Sequence, residues 1–205
     1  MNVGRAVRFT LTLLAAASLT SCGRDDRKKS AEARPRLHYS GYGMTIFFGL
    51  GGDSERIRVR GWSHTEPNFT WTDGDSAALG VRLPPAKHPL HLHFRMAGMT
   101  APPRVPFQRV DVHVNSEKLA SWEVGNEEVF TLMVPRRFVA APKRAPGSPR
   151  PFVPEPGTRL LIEFSLPDAT SPRDIGQSDD ARRLGLRMAE LHIAPDAPRE
   201  GGDAR

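Results

Sequence analysis

The stretch Leu90-His91-Leu92-His93-Phe94-Arg95 decides the fold. Apolar residues fall at every second position, with two imidazoles and a guanidinium between them. Successive side chains on a strand face opposite sides, so Leu90, Leu92 and Phe94 form a buried face while His91, His93 and Arg95 face outward. The same period runs outward in both directions. Upstream, Tyr42, Met44, Ile46 and Phe48 alternate with smaller residues, Ile57 and Val59 alternate with Arg56, Arg58 and Arg60, and Ala77, Leu79, Val81 and Leu83 make a further run. Downstream, Val110, Val112 and Val114 point inward with Asp111 and His113 outward. Leu119 with Trp122, and then Val129 to Val134, continue the series. Leu160, Ile162, Phe164 and Leu166 follow, with Glu163 and Ser165 outward.

The punctuation agrees with short strands. Asp73-Gly74 suits a hairpin turn, because glycine takes positive φ without strain. Asn115-Ser116 suits a turn between Val114 and Leu119. Residues 184–193 fit two patterns: Leu184, Met188 and Leu191 have helical spacing, whereas Leu184, Leu186, Met188, Leu191 and Ile193 fit a strand whose phase slips near Ala189-Glu190. A β-bulge produces such a slip, and the strand is the reading adopted. Many short strands without a long helix predict an all-β domain over 41–195, an antiparallel β-sandwich or jelly roll. Residues 136–158 hold six prolines, which remove ladder donors, so this segment reads as a long surface loop.

The ends read differently. Arg5 and Arg8 precede a short apolar run, Phe9 to Leu19, too short to span a bilayer as a stable helix. Leu19-Thr20-Ser21-Cys22 then resembles the bacterial lipoprotein signal box. That resemblance makes residues 1–22 a signal peptide and lipobox, with Cys22, the single cysteine, as the lipidated first residue of the mature chain. Several acyl chains hold a protein stably in a membrane where one does not. An ordinary secretory signal is the alternative. Gly23, in place of an aspartate that would retain the protein at the inner membrane, points to the outer membrane, facing the periplasm. Residues 23–40 read as a polar tether and 196–205 as a frayed tail.

Charge is unevenly placed. The formal total is +6; residues 1–22 carry +2, 23–40 carry +3, 136–159 carry +5 and the tail carries −1, leaving −3 on the rest. A nucleic-acid groove needs a basic face on a rigid scaffold, so nucleic acid is not an expected partner.

Two polar segments interrupt the strands. One is Gly61-Trp62-Ser63-His64-Thr65-Glu66, leading to Phe69-Thr70-Trp71-Thr72. The other runs from Ser171 to Gly185 and holds Ser178, Asp180, Arg182 and Arg183. Aromatic faces beside charged groups suit sugar recognition, by stacking and by hydrogen bonding to hydroxyls. The candidate ligand surface is therefore Trp62, Glu66, Trp71, Ser178, Asp180, Arg182 and Arg183. The alternative makes the tryptophans core plugs and Asp180 a partner of Arg182 or Arg183 that fixes the loop.

The order G-W-S-x-x-E, F-T-W-T-x-G, Q-x-V-x-V-x-V-N and S-P-x-x-x-G-x-S-D-D-x-R-R-L-G-L resembles a bacterial β-sandwich module associated with membrane glycosyltransferases and other envelope polysaccharide proteins. It spans about Gly43 to Ile193. The resemblance implies a non-catalytic sandwich with Trp62, Glu66, Trp71, Gln108, Asn115, Ser171, Pro172, Gly176, Ser178, Asp180, Arg182 and Gly185 at motif positions. It also implies an envelope glycan, or a protein that assembles one, as partner. The chain departs from that pattern in its own lipobox and in the Pro-rich insertion.

Two other chemistries have candidates. Glu66 and Asp180 could be the paired carboxylates of a glycan-cleaving enzyme. His91, His93 and His113, with Asp111, could ligate a metal, because His-x-His places two imidazoles on one strand face; an exposed sheet face is the simpler explanation, and no cofactor is expected. No nucleophile elbow, phosphate loop or H-E-x-x-H is present.

Overall fold

The computed structural model describes residues 38–39, 41–140 and 158–195. The signal peptide, Cys22, most of the tether, the centre of the Pro-rich segment and the tail lie outside the described residues. In chain order the strands are β1 (His38–Tyr39), β2 (Thr45–Phe47), β3 (Arg58–Arg60), β4 (Trp62–Thr65), β5 (Thr70–Asp73), β6 (Ser76–Leu83), β7 (Leu90–Gly98), β8 (Gln108–Val114), β9 (Glu117–Val124), β10 (Glu128–Val134), β11 (Thr158–Ser165) and β12 (Leu184–Pro195). One 3₁₀ turn, Ser54–Arg56, precedes β3, and one helical turn, α1 (Arg136–Val139), follows β10. No helix among the described residues is long and apolar enough to cross a membrane.

The strands make two sheets. The first runs β1-β6-β11-β8-β9, with β3 also on β6. The second runs β10-β7-β12-β5-β4, with β2 also on β12. All pairings are antiparallel except β1 with β6. The result is the β-sandwich that the period-two pattern predicts. The core lies between the layers, where Leu92 and Phe94 of the second sheet meet Val112 and Phe164 of the first. The Phe94 and Phe164 rings cross edge to face at 5.6 Å, a favoured aromatic geometry. All four side chains are fully buried. Each such side chain stabilises the fold by roughly 1.5–3 kcal/mol relative to exposure.

Several local expectations hold. Asn115 and Ser116, at φ 49° and 72°, form the two-residue turn from β8 to β9; two positive φ values match the twist of a tight hairpin. The register of β12 against β7 shifts between Met188 and Glu190, which is the expected bulge.

Other expectations need correction. Asp73-Gly74 is not a hairpin turn: β5 belongs to the second sheet and β6 to the first. Gly74, at φ 110°, carries the chain from one layer to the other, and its N–H is satisfied by the Arg183 carbonyl at 2.8 Å. Arg56 is not strand but closes a 3₁₀ turn, Ser54–Arg56, and the outward Arg58 is not solvated; its guanidinium donates to the Ser63 carbonyl and the Thr65 hydroxyl, each at 3.0 Å. His38–Tyr39, assigned to the tether, pair with Val81–Arg82. The segment 136–158 begins with α1, whose Val139 is buried, and ends in β11 at Thr158. In the first apolar run Met44 is 38 % and Phe47 52 % exposed, while Ile46 and Phe48 are buried.

Candidate functional site

The Ser171–Gly185 loop closes on itself. Ser171 is buried; its hydroxyl donates to the Asp180 carbonyl at 2.9 Å and accepts the Arg173 N–H at 3.1 Å. Asp180 accepts from Nε and Nη2 of Arg182, the latter at 2.6 Å, and from the Arg182 backbone N–H at 2.9 Å. These hydrogen bonds hold the Asp180 carboxyl down at about 2. Arg182 continues outward: Nη1 donates to the Ser63 hydroxyl at 2.7 Å, and Nη2 reaches Glu66 at 3.5 Å. Glu66, Asp180 and Arg182 are therefore brought together, with Ser63 added.

The remaining sequence candidates go elsewhere. Trp62 faces the core; its ring lies 5.4 Å from that of buried Phe48, and its indole N–H donates to the Ala78 carbonyl at 2.9 Å. Trp71, half-buried, meets the Phe69 ring edge to face at 5.8 Å. Arg183 donates to the Ala169 carbonyl at 3.0 Å. Exposed Ser178 accepts the Asp180 N–H at 3.3 Å. A glycosidase needs one carboxyl protonated as general acid near neutral pH. Asp180, held ionised by Arg182, is unsuited to that role.

Other motif residues complete the backbone. Asn115 accepts the Leu161 N–H at 2.8 Å and donates to the Arg159 carbonyl at 3.1 Å, extending the ladder past the hairpin. Gln108 is buried and donates to the Met99 carbonyl at 2.6 Å. A Cβ on Gly185 would stand 3.0 Å from Leu166 and 3.1 Å from the Thr72 hydroxyl.

The metal candidates separate. His91 and His93 lie on β7 in the second sheet, but His113 and Asp111 lie on β8 in the first. Asp111 is engaged by Lys118 and Ser121, each at 2.8 Å. The neighbour that reaches His93 is His192 of β12: the rings of His91, His93 and His192 stack at 6.2 and 6.0 Å. The Nδ1 atoms of His93 and His192 face the hydroxyls of Thr131 and Thr45 at 2.9 and 3.0 Å. Among the described residues no group of three His, Cys, Asp or Glu side chains is arranged to hold a metal ion.

The outer face of the second sheet carries a groove that the motifs do not mark. Strand register places Val129, Arg95, Glu190 and Phe47 in one row across β10, β7, β12 and β2. Beside this row the groove, of about 650 Å³, opens, walled by the 49–52 loop, by Pro67 to Phe69, and by Arg187. The loop is fastened by the Leu50 N–H, which donates to the carbonyls of Glu66 and Pro67, each at 3.1 Å. Two apolar side chains stay exposed at the groove, Phe47 at 52 % and Leu50 at 68 %. Its polar groups are prearranged. Arg95 is hydrogen-bonded to Glu190 and, at 2.8 Å, to Glu127; Glu190 first and Glu127 second hold the guanidinium charged. Arg187 lies 5.3 Å from the centre of the Phe69 ring. The arrangement offers an aromatic face to an apolar surface and planar hydrogen-bonding forks beside it. Sequence reading missed it because the parts come from five segments, each ordinary alone. The available signal was Phe47-Phe48: two adjacent aromatics on a strand cannot both face the core.

No protein-family model matches the chain, and no curated protein matches it in sequence. Among solved structures, it is similar to the CBM36-1 domain of a multidomain xylanase from the hindgut metagenome of Trinervitermes trinervoides, at 9 % identity and a TM-score of 0.40, covering 75 % of this chain and 98 % of that one. It is also similar to the CBM22-1 xylan-binding domain of Paenibacillus barcinonensis, at 11 % identity and a TM-score of 0.40, over 76 % and 97 %. A family 35 carbohydrate binding module from an environmental isolate gives 12 % identity and a TM-score of 0.34, over 81 % and 95 %. At such scores the ligands of those proteins say nothing of this one.

Proposed function

We propose that this protein is a non-catalytic, saccharide-binding β-sandwich of the bacterial cell envelope, anchored by lipid on Cys22 to the outer membrane and facing the periplasm. The observation that carries the binding assignment is Phe47. A ring 52 % exposed at the edge of a groove, in one row with the Arg95–Glu190 pair, matches the two-sided chemistry of a sugar. A pyranose ring has an apolar C–H face that stacks on an aromatic and an equatorial belt of hydroxyls that pairs with planar charged groups. Forks already fixed by their neighbours lose little freedom on binding.

The anchor rests on the sequence: a positive start, a short apolar run and the L-T-S-C box. The glycan partner would be an envelope polysaccharide, or the groove would dock the chain beside proteins that assemble one, as the family resemblance implies.

Two experiments test the parts separately. Feeding cells a labelled fatty acid should label the wild-type chain and leave Cys22→Ser unlabelled; an unlabelled wild type removes the anchor. Sedimenting the purified full chain with envelope polysaccharide should deplete it from solution, and Phe47→Ala should remain in the supernatant. Equal depletion of both removes the groove.

A further inference from the structure

Two arginines meet the groove, and they differ in commitment. Arg95 is occupied, with hydrogen bonds to Glu127 and Glu190. The Arg187 guanidinium makes no hydrogen bond among the described residues. It is ion-paired with Glu127, whose Oε2 stands 3.6 Å from Nη2, a separation too long for a hydrogen bond. The same carboxylate already accepts from Arg95 through Oε1. Arg187 is not loose, however. It stands in strand register between Ala97 and Trp71, and its guanidinium lies 5.3 Å from the Phe69 ring centre. An aromatic under the guanidinium limits its orientations, and Arg187 lines the groove.

An oriented guanidinium with no hydrogen bond of its own, beside an aromatic platform, is specific chemistry. A neutral sugar hydroxyl takes one N–H; a carboxylate, sulfate or phosphate takes two in parallel, with charge. Arg95 and Arg187 together balance Glu127 and Glu190, and both carboxylates spend their hydrogen bonds on Arg95, leaving the Arg187 donors for a ligand. We infer that the groove selects saccharides bearing an anionic substituent, and that Arg187 is the residue that reads the anion. This deepens the proposed saccharide binding and rests on it. The body around the groove is acidic overall, so the preference arises from the local fork and not from long-range attraction.

The test is a glycan array probed with the full chain purified in mild detergent, with matched pairs: polygalacturonate and its methyl ester, dextran sulfate and dextran, phosphorylated and unphosphorylated mannan. The pairs separate carboxylate, sulfate and phosphate as the source of the anion. The expected result is binding at least about tenfold tighter to the anionic member of one or more pairs. Arg187→Gln should lower that binding to the level of the neutral member, with an unchanged melting temperature, and Arg187→Lys should restore only part of it. Equal binding within every pair, or an anionic preference that survives Arg187→Gln, overturns the inference and leaves saccharide binding standing. Absence of binding to any glycan on the array overturns both.

Discussion

Arg182 donates to the hydroxyl of Ser63 at 2.7 Å while clasping Asp180, two residues before it, through Nε and Nη2. One guanidinium thus ties the Ser171–Gly185 loop to strand β4, at the open edge of the second sheet. The contact supports the reading of these charges as a bracket. The cluster's charged side chains are 25–26 % exposed, so solvent partly screens it. Arg182→Ala should cost about 1 kcal/mol, a fall of roughly 2–4 °C in melting temperature for a domain of this size. Glycan retention should be unchanged. Calorimetry beside a sedimentation assay checks both; lost retention with an intact melting temperature would make Arg182 a contact residue.

Asp180 gives the bracket a pH signature. Its carboxyl is lowered from 3.8 to about 2 in the folded chain, so the folded state releases this proton more readily than the unfolded state. The contribution is complete above about pH 4 and is lost as pH falls through 2. Asp180→Asn should flatten that part of the acid limb and leave the slope above pH 5 unaltered, as read from melting temperature against pH.

His93 acts in a higher window. Burial first, then His192 and His91, lowers its pKa below the ordinary 6.5. The unfolded chain binds this proton more tightly, so stability is complete above about 6.5 and declines as pH falls below it. His93→Gln keeps a partner for Thr131 and should shift the onset of acid destabilisation downward. A melting curve at pH 5.5 that is no better for the variant contradicts the stacked arrangement.

Gly61 marks a rigid point. It sits at φ 72°, and a Cβ there would fall on the Ser76 carbonyl. Gly61→Ala should destabilise by about 1–3 kcal/mol, with reduced soluble yield. An unchanged melting temperature would mean that β4 is free to shift away from β6.

The sandwich was legible because one face of each strand is buried, and burial writes itself as alternation. Leu90-Leu92-Phe94 and Leu160-Ile162-Phe164 have their expected faces, and even the slip at Ala189-Glu190 was readable as a bulge. Asp73-Gly74 misled because a glycine turn looks the same whether it joins neighbours in a sheet or crosses between layers. Only long-range pairing distinguishes them. The same limit hid the groove. Arg95, Glu127, Arg187 and Glu190 each read as an ordinary outward charge, and strand register alone makes them neighbours of Phe47. The conspicuous motif residues act as fasteners: the Ser171 hydroxyl, the Asn115 amide and the Gln108 amide nitrogen bond backbone groups at strand ends. Polar residues required by the fold are more visible in a motif than polar residues free to meet a ligand.

Amide chemical-shift mapping by NMR, with an envelope polysaccharide fragment titrated into the labelled chain, tests the central claim most directly. Shifts should concentrate at residues 47–52, 67–69 and 187–190, and Phe47→Ala should abolish them while its melting temperature stays within about 2 °C of wild type, since the ring is exposed. Shifts confined to residues 171–185, or no shifts with any fragment, would contradict the account.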